Sequence, residues 1–426
     1  MKNLFLSLVV LLSLGACSTS SLKPQATSVN STNSAETLKK PYVILVSIDG
    51  YRPDYTRKFS PPNLTAFKNI GASAESMIPV FPSKTFPNHL SIITGRYAEN
   101  HGIVANYFYD LSRPAEKTLY TLSNPKAVQD GTWYQADPLW VTAEKEGMRT
   151  ACYFWPGSEA EIGGVRPAYF KTYDKNVTNQ SRVDGVLDWL KLPEEKRPHL
   201  ITLYFSDVDS AGHEHGPDSK EVKEAVKNID IQIGRLQAGV EALKLPVDLV
   251  IVSDHGMAKL DPKKILYLDD LVTFKNVLVG DTGPQLVVYA KGNSPEQKAQ
   301  LDEVYQALKK HAKHYRVFRR ADIPAEYHLA KNPRAGDVLI SADLPYSVGI
   351  HDPRYHPPVA THGYDPKRYP EMNATFYAKG PDILPKKIKS FKNIDVYPFL
   401  MELLKLKPMG QIDGTAATLH SLLKNP

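Results

Sequence analysis

The sequence predicts an α/β fold with a central, mostly parallel β-sheet and helices on both faces. Three continuous apolar runs, at residues 42–48, 200–205 and 247–252, have the length and β-branched content of strands that are buried on both faces. Residues 219–243 carry apolar side chains at helical spacing. Strands that alternate with helices in this way indicate a parallel sheet, and an aspartate follows each of the three runs.

The first 17 residues predict export from a bacterial cell. Lys2 supplies a positive charge, and the apolar run at residues 4–14 is shorter than a membrane-spanning helix. Its Leu-Gly-Ala-Cys ending resembles the lipobox of bacterial lipoproteins, in which Cys17 becomes the lipid-modified first residue of the mature chain. Because Ser18 rather than aspartate follows, the resemblance favours an anchor in the outer membrane. The alternative is an ordinary cleaved signal with an incidental cysteine.

Composition divides the chain beyond the signal peptide. Residues 18–40 are rich in Ser, Thr, Asn and Lys with almost nothing apolar to bury, which predicts a flexible tether. The main α/β domain is expected at 41–260 and 359–426. The intervening residues 261–358 are expected to form a small inserted subdomain that helps to shape the entrance of a site.

The cysteine content argues against disulfide bonds, and the charge distribution argues against nucleic-acid partners. Cys152 is the only other cysteine, so the exported chain has no intramolecular disulfide and depends on its core and on any bound metal. The formal net charge of +6 is spread along the chain, which predicts no binding to duplex nucleic acid. The role of Cys152 and the oligomeric state stay open.

Aspartates follow the three predicted strands: Asp49, then Asp207 and Asp209, and then Asp254. Because the carboxyl ends of parallel strands meet at one edge of a sheet, where α/β folds bind ligands, we expect these carboxylates to lie close together. Singly, each aspartate could be a turn residue or a helix N-cap. Three together, two of them accompanied by histidine, favour a binding site.

Three histidines extend this set to a predicted metal site. His213 lies four residues after Asp209, His255 adjoins Asp254 just before a glycine, and His362 lies in a glycine-containing loop. Carboxylates combined with imidazoles suit zinc or a similar first-row ion, whereas calcium and magnesium prefer oxygen throughout. Together with the first aspartate the set has six ligands, which suits two ions roughly 4 Å apart better than one tetrahedral ion.

Thr85 is the candidate nucleophile. It lies in the segment 81–89, which precedes an apolar stretch at 90–93. A hydroxyl at the start of a helix lies beside free amide N–H groups and the positive end of the helix dipole, which favour an alkoxide when a metal binds it. A threonine at this place is often only a cap, so the assignment depends on the metal ligands around it. Nearby histidines such as His89 are expected to act as hydrogen-bonding groups.

These motifs are similar to those of one family, the nucleotide pyrophosphatase/phosphodiesterases of the alkaline phosphatase superfamily. The similar segments occur in the family's order over most of the chain. They are Ile48-Asp49-Gly50, Lys84-Thr85-Phe86-Pro87-Asn88-His89, Thr94-Gly95-Arg96-Tyr97, His101-Gly102-Ile103 with Asn106, Phe154-Trp155-Pro156-Gly157-Ser158, Gly212-His213 with Gly216-Pro217, Asp254-His255-Gly256-Met257 and His362-Gly363-Tyr364. One such motif would be weak evidence, whereas all of them in order are specific.

The resemblance implies two zinc ions and a role for each ligand. One ion would be held by Asp209, His213 and His362, and the other by Asp49, Asp254, His255 and the oxygen of Thr85. Thr85 would attack phosphorus to form a phospho-threonine that water then hydrolyses. The side chain of Asn106 and the backbone N–H after the nucleophile would hold a phosphoryl oxygen as negative charge builds up.

Four aromatic residues are expected to contact the substrate. Phe86, Tyr173 and Tyr204 are similar to the walls that grip a nucleobase in this family, and Trp155 lies in one of the shared motifs. Stacking contributes about 1–3 kcal/mol per base and tolerates different bases. Core packing is the alternative for each ring.

The resemblance implies hydrolysis of nucleotide phosphodiester or pyrophosphate bonds to nucleoside 5′-monophosphates. The family's paired glutamates before the metal-binding aspartate are replaced by the Ser206-Asp207-Val208 segment, which leaves substrate preference in question. One alternative is a phosphodiesterase for lipid head groups such as choline esters. Another is a non-catalytic surface protein that binds metal.

Overall fold

The computed structural model describes residues 31–353, 357–407 and 409–424. The predicted signal peptide with Cys17, and the tether up to residue 30, lie outside the described residues. Among the described helices, none combines the length and the apolar character that crossing a bilayer requires.

The described residues form twenty β-strands and twelve α-helices. The strands are β1 (Tyr42–Ile48), β2 (Ala72–Ala74), β3 (Met77–Ile78), β4 (Tyr107–Tyr109), β5 (Leu119–Thr121), β6 (Thr150–Tyr153), β7 (Tyr169–Lys171), β8 (Leu200–Phe205), β9 (Val247–Val252), β10 (Ala258–Lys259), β11 (Ile265–Tyr267), β12 (Val277–Gly280), β13 (Gln285–Ala290), β14 (Tyr315–Arg319), β15 (Val338–Ala342), β16 (Ser347–Gly349), β17 (Ala360–Thr361), β18 (Phe376–Lys379), β19 (Lys387–Ile388) and β20 (Phe391–Lys392). The helices are α1 (Tyr55–Phe59), α2 (Pro62–Ile70), α3 (Thr85–Thr94), α4 (Ala98–His101), α5 (Pro125–Val128), α6 (Leu139–Lys145), α7 (Asn179–Leu190), α8 (Asp207–His215), α9 (Lys220–Leu243), α10 (Pro295–Lys310), α11 (Val396–Leu403) and α12 (Ala417–His420).

The largest sheet has eight strands in the order β19-β2-β18-β9-β1-β8-β6-β7. Strands β9, β1, β8, β6 and β7 are parallel to one another, whereas β18 is antiparallel to both of its neighbours. The predicted mostly parallel sheet is therefore confirmed. Ile48 pairs with Phe205 and Ser47 pairs with Val252, so the three strands that lead into aspartates end level with one another.

Alternate residues of β1 enter two different hydrophobic cores, as expected for a strand that is covered on both faces. Val43 and Leu45 belong to the core that α3, α6 and α11 share. Ile44 and Val46 belong to the core that α7 and α9 share. Helix α9 begins where the sequence predicted, because the Ser219 hydroxyl accepts a backbone N–H of its first turn at 3.1 Å.

A second, antiparallel sheet lies within the segment that the sequence predicted to be an insertion. Its strand order is β12-β13-β15-β14, and α10 packs against it through Val304 and Leu308. The same hydrophobic core contains Tyr364 and Met372, which follow this segment in the chain. The antiparallel sheet is therefore continuous, through its core, with the loop that contains His362.

The last residues of the predicted tether pack against the domain. The side chain of Asn33 is buried, and its Nδ2 donates to the carbonyl oxygens of Glu194 at 3.0 Å and Arg197 at 2.7 Å. Its Oδ1 accepts the backbone N–H of Arg149 at 2.8 Å. The prediction that the tether extends to residue 40 is therefore wrong at its end. A segment with few apolar residues can still be anchored when a side-chain amide pairs with backbone groups of the domain.

We expect Asn33→Ala to lower the free energy of unfolding by roughly 1–4 kcal/mol, because three partly buried hydrogen bonds to backbone groups are lost. Urea denaturation of the purified protein measures this change. Asn228→Ala is the matched control, since Asn228 is exposed on α9, and its effect should stay within about 0.5 kcal/mol. Equal losses in the two variants would show that Asn33 does not anchor the N-terminal segment.

Candidate active site

The carboxyl ends of three adjacent strands bring the predicted aspartates together. Asp49 directly follows β1, Asp254 lies two residues after β9, and Asp209 lies in the first turn of α8, which follows β8. Gly50 permits this close approach, because it has φ +67° and a side chain there would lie 3.0 Å from the Cα atom of Asp209. The carboxylates that the sequence expected at one edge of the sheet therefore do lie there.

Each of the three predicted ligand histidines donates from Nδ1 to a backbone carbonyl oxygen. The three bonds are His213 to Ala360 at 2.8 Å, His255 to Gly256 at 2.9 Å and His362 to Ser83 at 2.9 Å. A carbonyl oxygen only accepts, so each Nδ1 carries a proton, and each Nε2 is the nitrogen that faces the carboxylates. Burial, and then repulsion from the other two histidines, lowers the pKa of His362 well below its ordinary value, so this ring is neutral.

His255 lies at the centre of one group of potential ligands. Its Nε2 is 3.0 Å from Asp254 Oδ2, 3.3 Å from Asp49 Oδ1 and 3.2 Å from the hydroxyl oxygen of Thr85. Two carboxylate oxygens and a hydroxyl oxygen therefore converge on one imidazole nitrogen. This is the arrangement expected of ligands around a cation.

A second group forms around Asp209. The Nε2 atoms of His213 and His362 are 3.2 Å apart and lie 3.4 Å and 3.6 Å, respectively, from Asp209 Oδ1. The ring of His255 stacks on the ring of His362 with centroids 3.4 Å apart, so the two groups adjoin. All six predicted ligands therefore lie in one region, although they come from distant parts of the chain.

The donor set fits divalent cations. Asp49 Oδ1, Asp209 Oδ1 and Asp254 Oδ2 are buried, and within the described part of the chain none of them has a hydrogen-bond partner. Burial raises the pKa of Asp49 well above its ordinary value, and repulsion from Asp254 and Asp209 adds to the increase. Burial and then repulsion from Asp209 raise the pKa of Asp254 to about 8. Unpaired buried carboxylates are costly, and cations bound between them and the histidine lone pairs would remove that cost.

Thr85 is the first residue of α3, and its hydroxyl does not cap the helix. The N-cap is Lys84, with an extended backbone and no side-chain capping bond. The Thr85 hydroxyl points instead to His255 and lines a cavity of about 400 Å³. The simple capping alternative is therefore excluded, and the hydroxyl lies beside both the ligand groups and the helix N-terminus.

The sequence led us to expect that Asn106 and the backbone N–H of Phe86 would both point at a phosphoryl oxygen. In the structure these two groups are bonded to each other. The backbone N–H of Phe86 donates to Asn106 Oδ1 at 3.0 Å, so that N–H is already engaged. Because the carbonyl end of the amide faces Phe86, the Nδ2 end is the one left to donate into the cavity, which Asn106 lines.

The four predicted aromatic residues all line the cavity, but they are exposed to different degrees. Tyr173 is 45% exposed, and Phe86 is half-buried, so both rings can contact a ligand. Trp155 is only 1% exposed and packs edge-on against His89 at 5.0 Å. It therefore forms the wall of the cavity rather than a free stacking surface.

Tyr204 has a role that the sequence did not suggest. Its hydroxyl donates to Asp49 Oδ2 at 2.5 Å, and the side chain is buried. Its hydroxyl bond holds the carboxylate of Asp49 in place, while the expectation that its ring forms a base-binding wall stays a prediction, since Tyr204 also lines the cavity. Its position as the penultimate residue of β8 contains no signal for this bond, because the bond depends on the pairing of Tyr204 with Ser47 across the strands.

His89 holds the start of α3, where Thr85 lies. It lies one turn after Thr85 in α3, and its Nδ1 donates to the carbonyl oxygen of Thr85 at 2.9 Å. Its Nε2 is 2.8 Å from the hydroxyl oxygen of Ser47 in β1. Burial lowers the pKa of His89 to about 3, so the neutral ring links the start of α3 to the central strand. This agrees with the hydrogen-bonding role that the sequence predicted.

Residues 43–365 match the family model described as Type I phosphodiesterase / nucleotide pyrophosphatase. The chain belongs to this family. The match covers most of the chain and includes every predicted ligand and Thr85. It confirms the family that the motif series indicated.

Over the aligned residues, curated members of the family are about one-third identical to this chain. The chain is 36% identical over 419 residues to the venom phosphodiesterase CdcPDE of Crotalus durissus collilineatus, covering 96% of this chain and 49% of that one. It is 34% identical over 390 residues to a pyrophosphatase/phosphodiesterase of Schizosaccharomyces pombe, covering 88% of this chain and 78% of that one. The chain spans about half the length of the venom enzymes that it matches.

Solved structures of the family share the fold. Murine ectonucleotide pyrophosphatase/phosphodiesterase 5 superposes with a TM-score of 0.83 at 28% identity, covering 90% of this chain and all of that one. An inactive variant of the same murine protein, solved in complex with AMP, superposes with a TM-score of 0.84. The alkaline phosphatase-like fold that the resemblance implied is thereby confirmed.

We expect zinc to stabilise the protein against heat. After treatment with a chelator the melting temperature should fall, and added Zn²⁺ should restore it, with a gain of roughly 2.7 kcal/mol at a free concentration about 100 times the Kd. Asp254→Asn should remove most of this response, because one of the ligand carboxylates is lost. Asp302→Asn, which changes an exposed carboxylate on α10, should keep it. A wild-type protein that responds to no divalent ion would contradict the metal site.

Proposed function

We propose that this chain hydrolyses nucleotide phosphodiester or pyrophosphate bonds to nucleoside 5′-monophosphates with two zinc ions and Thr85 as the nucleophile. The observation that carries the proposal is the position of the Thr85 hydroxyl, 3.2 Å from His255 Nε2 and inside the cavity where both ligand groups meet. The family match and the AMP complex of a murine relative support the choice of a nucleotide substrate.

Seven residues would hold the two ions. One ion would lie among Asp209, His213 and His362, and the other among Asp49, Asp254, His255 and the hydroxyl oxygen of Thr85. When bound, such a pair stabilises the charge on the attacking and leaving oxygens of an in-line displacement. The mixture of carboxylate oxygens and imidazole lone pairs is the basis for proposing zinc rather than calcium or magnesium.

The chain's own residues perform the remaining steps. Thr85 Oγ1, beside the N-terminus of α3, releases its proton to solvent water and attacks phosphorus. An oxygen–phosphorus bond forms while the bond to the leaving-group oxygen breaks, and that oxygen takes up a proton from water. Water then cleaves the phospho-threonine and releases the 5′-monophosphate. Asn106 Nδ2 donates to a phosphoryl oxygen as negative charge builds up, and Tyr204 keeps Asp49 in place.

The lining of the cavity favours a substrate whose nucleoside stays attached to the phosphate that Thr85 attacks. Phe86 and Tyr173 offer accessible rings beside the nucleophile, and stacking on such rings contributes about 1–3 kcal/mol per base. Glu159 also lines the cavity, and a carboxylate near aromatic rings is the environment that attracts a choline-type cation. Its two oxygens accept hydrogen bonds from the Tyr173 backbone and the Gln129 side chain. We prefer the nucleotide because of the family match and the AMP complex of a relative.

The location of the protein is part of the proposal. The sequence of residues 1–17, which lie outside the described residues, supports export and lipid attachment at Cys17 in the outer membrane. A non-catalytic binding protein is the weaker alternative, because such a protein would have no need for a nucleophile placed beside the ligand groups.

We expect Thr85→Ala to lower kcat by at least about 10³-fold, since the attacking hydroxyl is removed. Thr85→Ser, which keeps the hydroxyl, should retain measurable turnover. Steady-state hydrolysis of nitrophenyl-TMP measures both. The zinc-dependent rise in melting temperature, followed in parallel, should persist in both variants. Full turnover by Thr85→Ala would refute the nucleophile assignment.

We expect Tyr173→Ala to lower kcat/KM for nitrophenyl-TMP by about 5- to 100-fold through lost stacking. Methyl nitrophenyl phosphate, which has no base, should be hydrolysed as well by the variant as by the wild type. Tyr305→Ala, on α10 and away from the cavity, is the control and should leave both rates unchanged. A wild-type preference for nitrophenyl-phosphorylcholine over nitrophenyl-TMP would favour the head-group phosphodiesterase instead.

A further inference from the structure

The turn between β12 and β13 reaches from the antiparallel sheet to the residue before the nucleophile. Asp281, in this turn, forms an ion pair with Lys84 in which the Nζ and Oδ2 atoms are 2.5 Å apart. The two side chains are only 9% and 11% exposed, so little water screens the pair. Asp281 has φ 41°, a left-handed conformation that a non-glycine residue adopts at some cost. The turn is therefore held in a specific shape at this contact.

The other end of the same turn reaches the loop that contains His362. Gln285, the first residue of β13, is buried, and its Nε2 donates to the carbonyl oxygen of Gly363. Gly363 has φ +126°, and a side chain there would lie 3.0 Å from both Gln285 Oε1 and Lys84 Cε. Gly363 therefore packs closely against both Lys84 and Gln285, and no side chain larger than glycine's fits at this position.

The two loops that the turn contacts are also bonded to each other. The Ser83 hydroxyl donates to the carbonyl oxygen of Tyr364 at 2.7 Å and accepts the N–H of Gly363 at 3.1 Å. The Ser83 carbonyl oxygen accepts the Nδ1 proton of His362 at 2.9 Å. Residues 83–85 and 362–364 thus form one unit, and a displacement of either loop moves both the nucleophile and a ligand histidine.

We propose that Asp281 and Gln285 are positioning residues that set the place of Thr85 and of His362 from outside the site. Loss of the Asp281 charge leaves the Lys84 ammonium buried without a partner carboxylate, and its desolvation drives the side chain toward water. Because Lys84 adjoins Thr85, the hydroxyl moves with it, and a displacement of about 1 Å can cost on the order of 10²-fold in rate. The kinetic part of this inference rests on the proposed function, whereas the structural part does not.

Asp281→Asn tests the inference with the full chain. We expect kcat for nitrophenyl-TMP to fall about 10- to 100-fold while KM changes less than about threefold, because the substrate contacts are intact. Hydrogen exchange of the peptide spanning residues 83–94 should become faster in the metal-free protein. Asp302→Asn removes an ion pair with Arg319 in the same antiparallel sheet region and should change neither measurement.

The double variant Lys84→Met with Asp281→Asn separates positioning from simple stability. The double variant has no buried cation without a partner. Compared with Asp281→Asn alone, its kcat and the protection of residues 83–94 against hydrogen exchange should each rise by at least about threefold. If Asp281→Asn does not fold, the double variant can still be compared with the wild type, because it removes both charges of the ion pair. A lack of recovery, or a rise in KM without a fall in kcat, would overturn the inference.

Hydrogen exchange distinguishes failure of this inference from failure of the proposed function. A wild-type protein that hydrolyses none of the phosphodiesters would refute the proposed function. The exchange rates of residues 83–94 in Asp281→Asn and in Asp302→Asn would then still decide whether the turn positions the nucleophile loop. Unchanged exchange in Asp281→Asn would refute the positioning role.

Discussion

The burial of three carboxylates at one edge of a single sheet is the constraint on which the site depends. One oxygen of each of Asp49, Asp209 and Asp254 is buried without a hydrogen-bond partner among the described residues. Burial and repulsion between the carboxylates raise the pKa of Asp49 and of Asp254, and bound cations would offset this cost. Strands β9, β1 and β8 produce this arrangement because their carboxyl ends are level in register. The backbone N–H of Gly50 donates to one carboxylate and the hydroxyl of Tyr204 to another, which limits the cost of each.

Hydrogen bonds to the backbone set the orientation of the three histidine rings in the site. All three donate an Nδ1 proton to a carbonyl oxygen, so the backbone turns the Nε2 atom of each ring toward the carboxylates. One of these carbonyl oxygens belongs to Ser83, two residues before the proposed nucleophile. Orientation of His362 and placement of Thr85 are therefore consequences of the same local bonds. The antiparallel sheet contributes through Asp281 and Gln285, which touch both loops while lying outside the cavity lining.

Several parts of the fold could be predicted from the sequence because their signals are local. The apolar runs of β1, β8 and β9 and the helical spacing of α9 each indicate one element, and their alternation indicates the parallel sheet. Other parts could not be predicted. The expectation of a free tether failed at Asn33, because its anchoring depends on backbone groups more than a hundred residues away. The carboxylate–hydroxyl bond of Tyr204 depends on strand register, which no single segment contains.

The sequence by itself determined the α/β class, the family, and the types of residue that would meet at the carboxyl edge, since each is encoded in a short motif or a periodic pattern. Only the tertiary structure decided which ring nitrogen each histidine presents, which end of the Asn106 amide faces the cavity, and that Asp281 pairs with Lys84. The physical reason is that a hydrogen bond or ion pair depends on the distance and direction between two groups, and these are set by segments far apart in the chain.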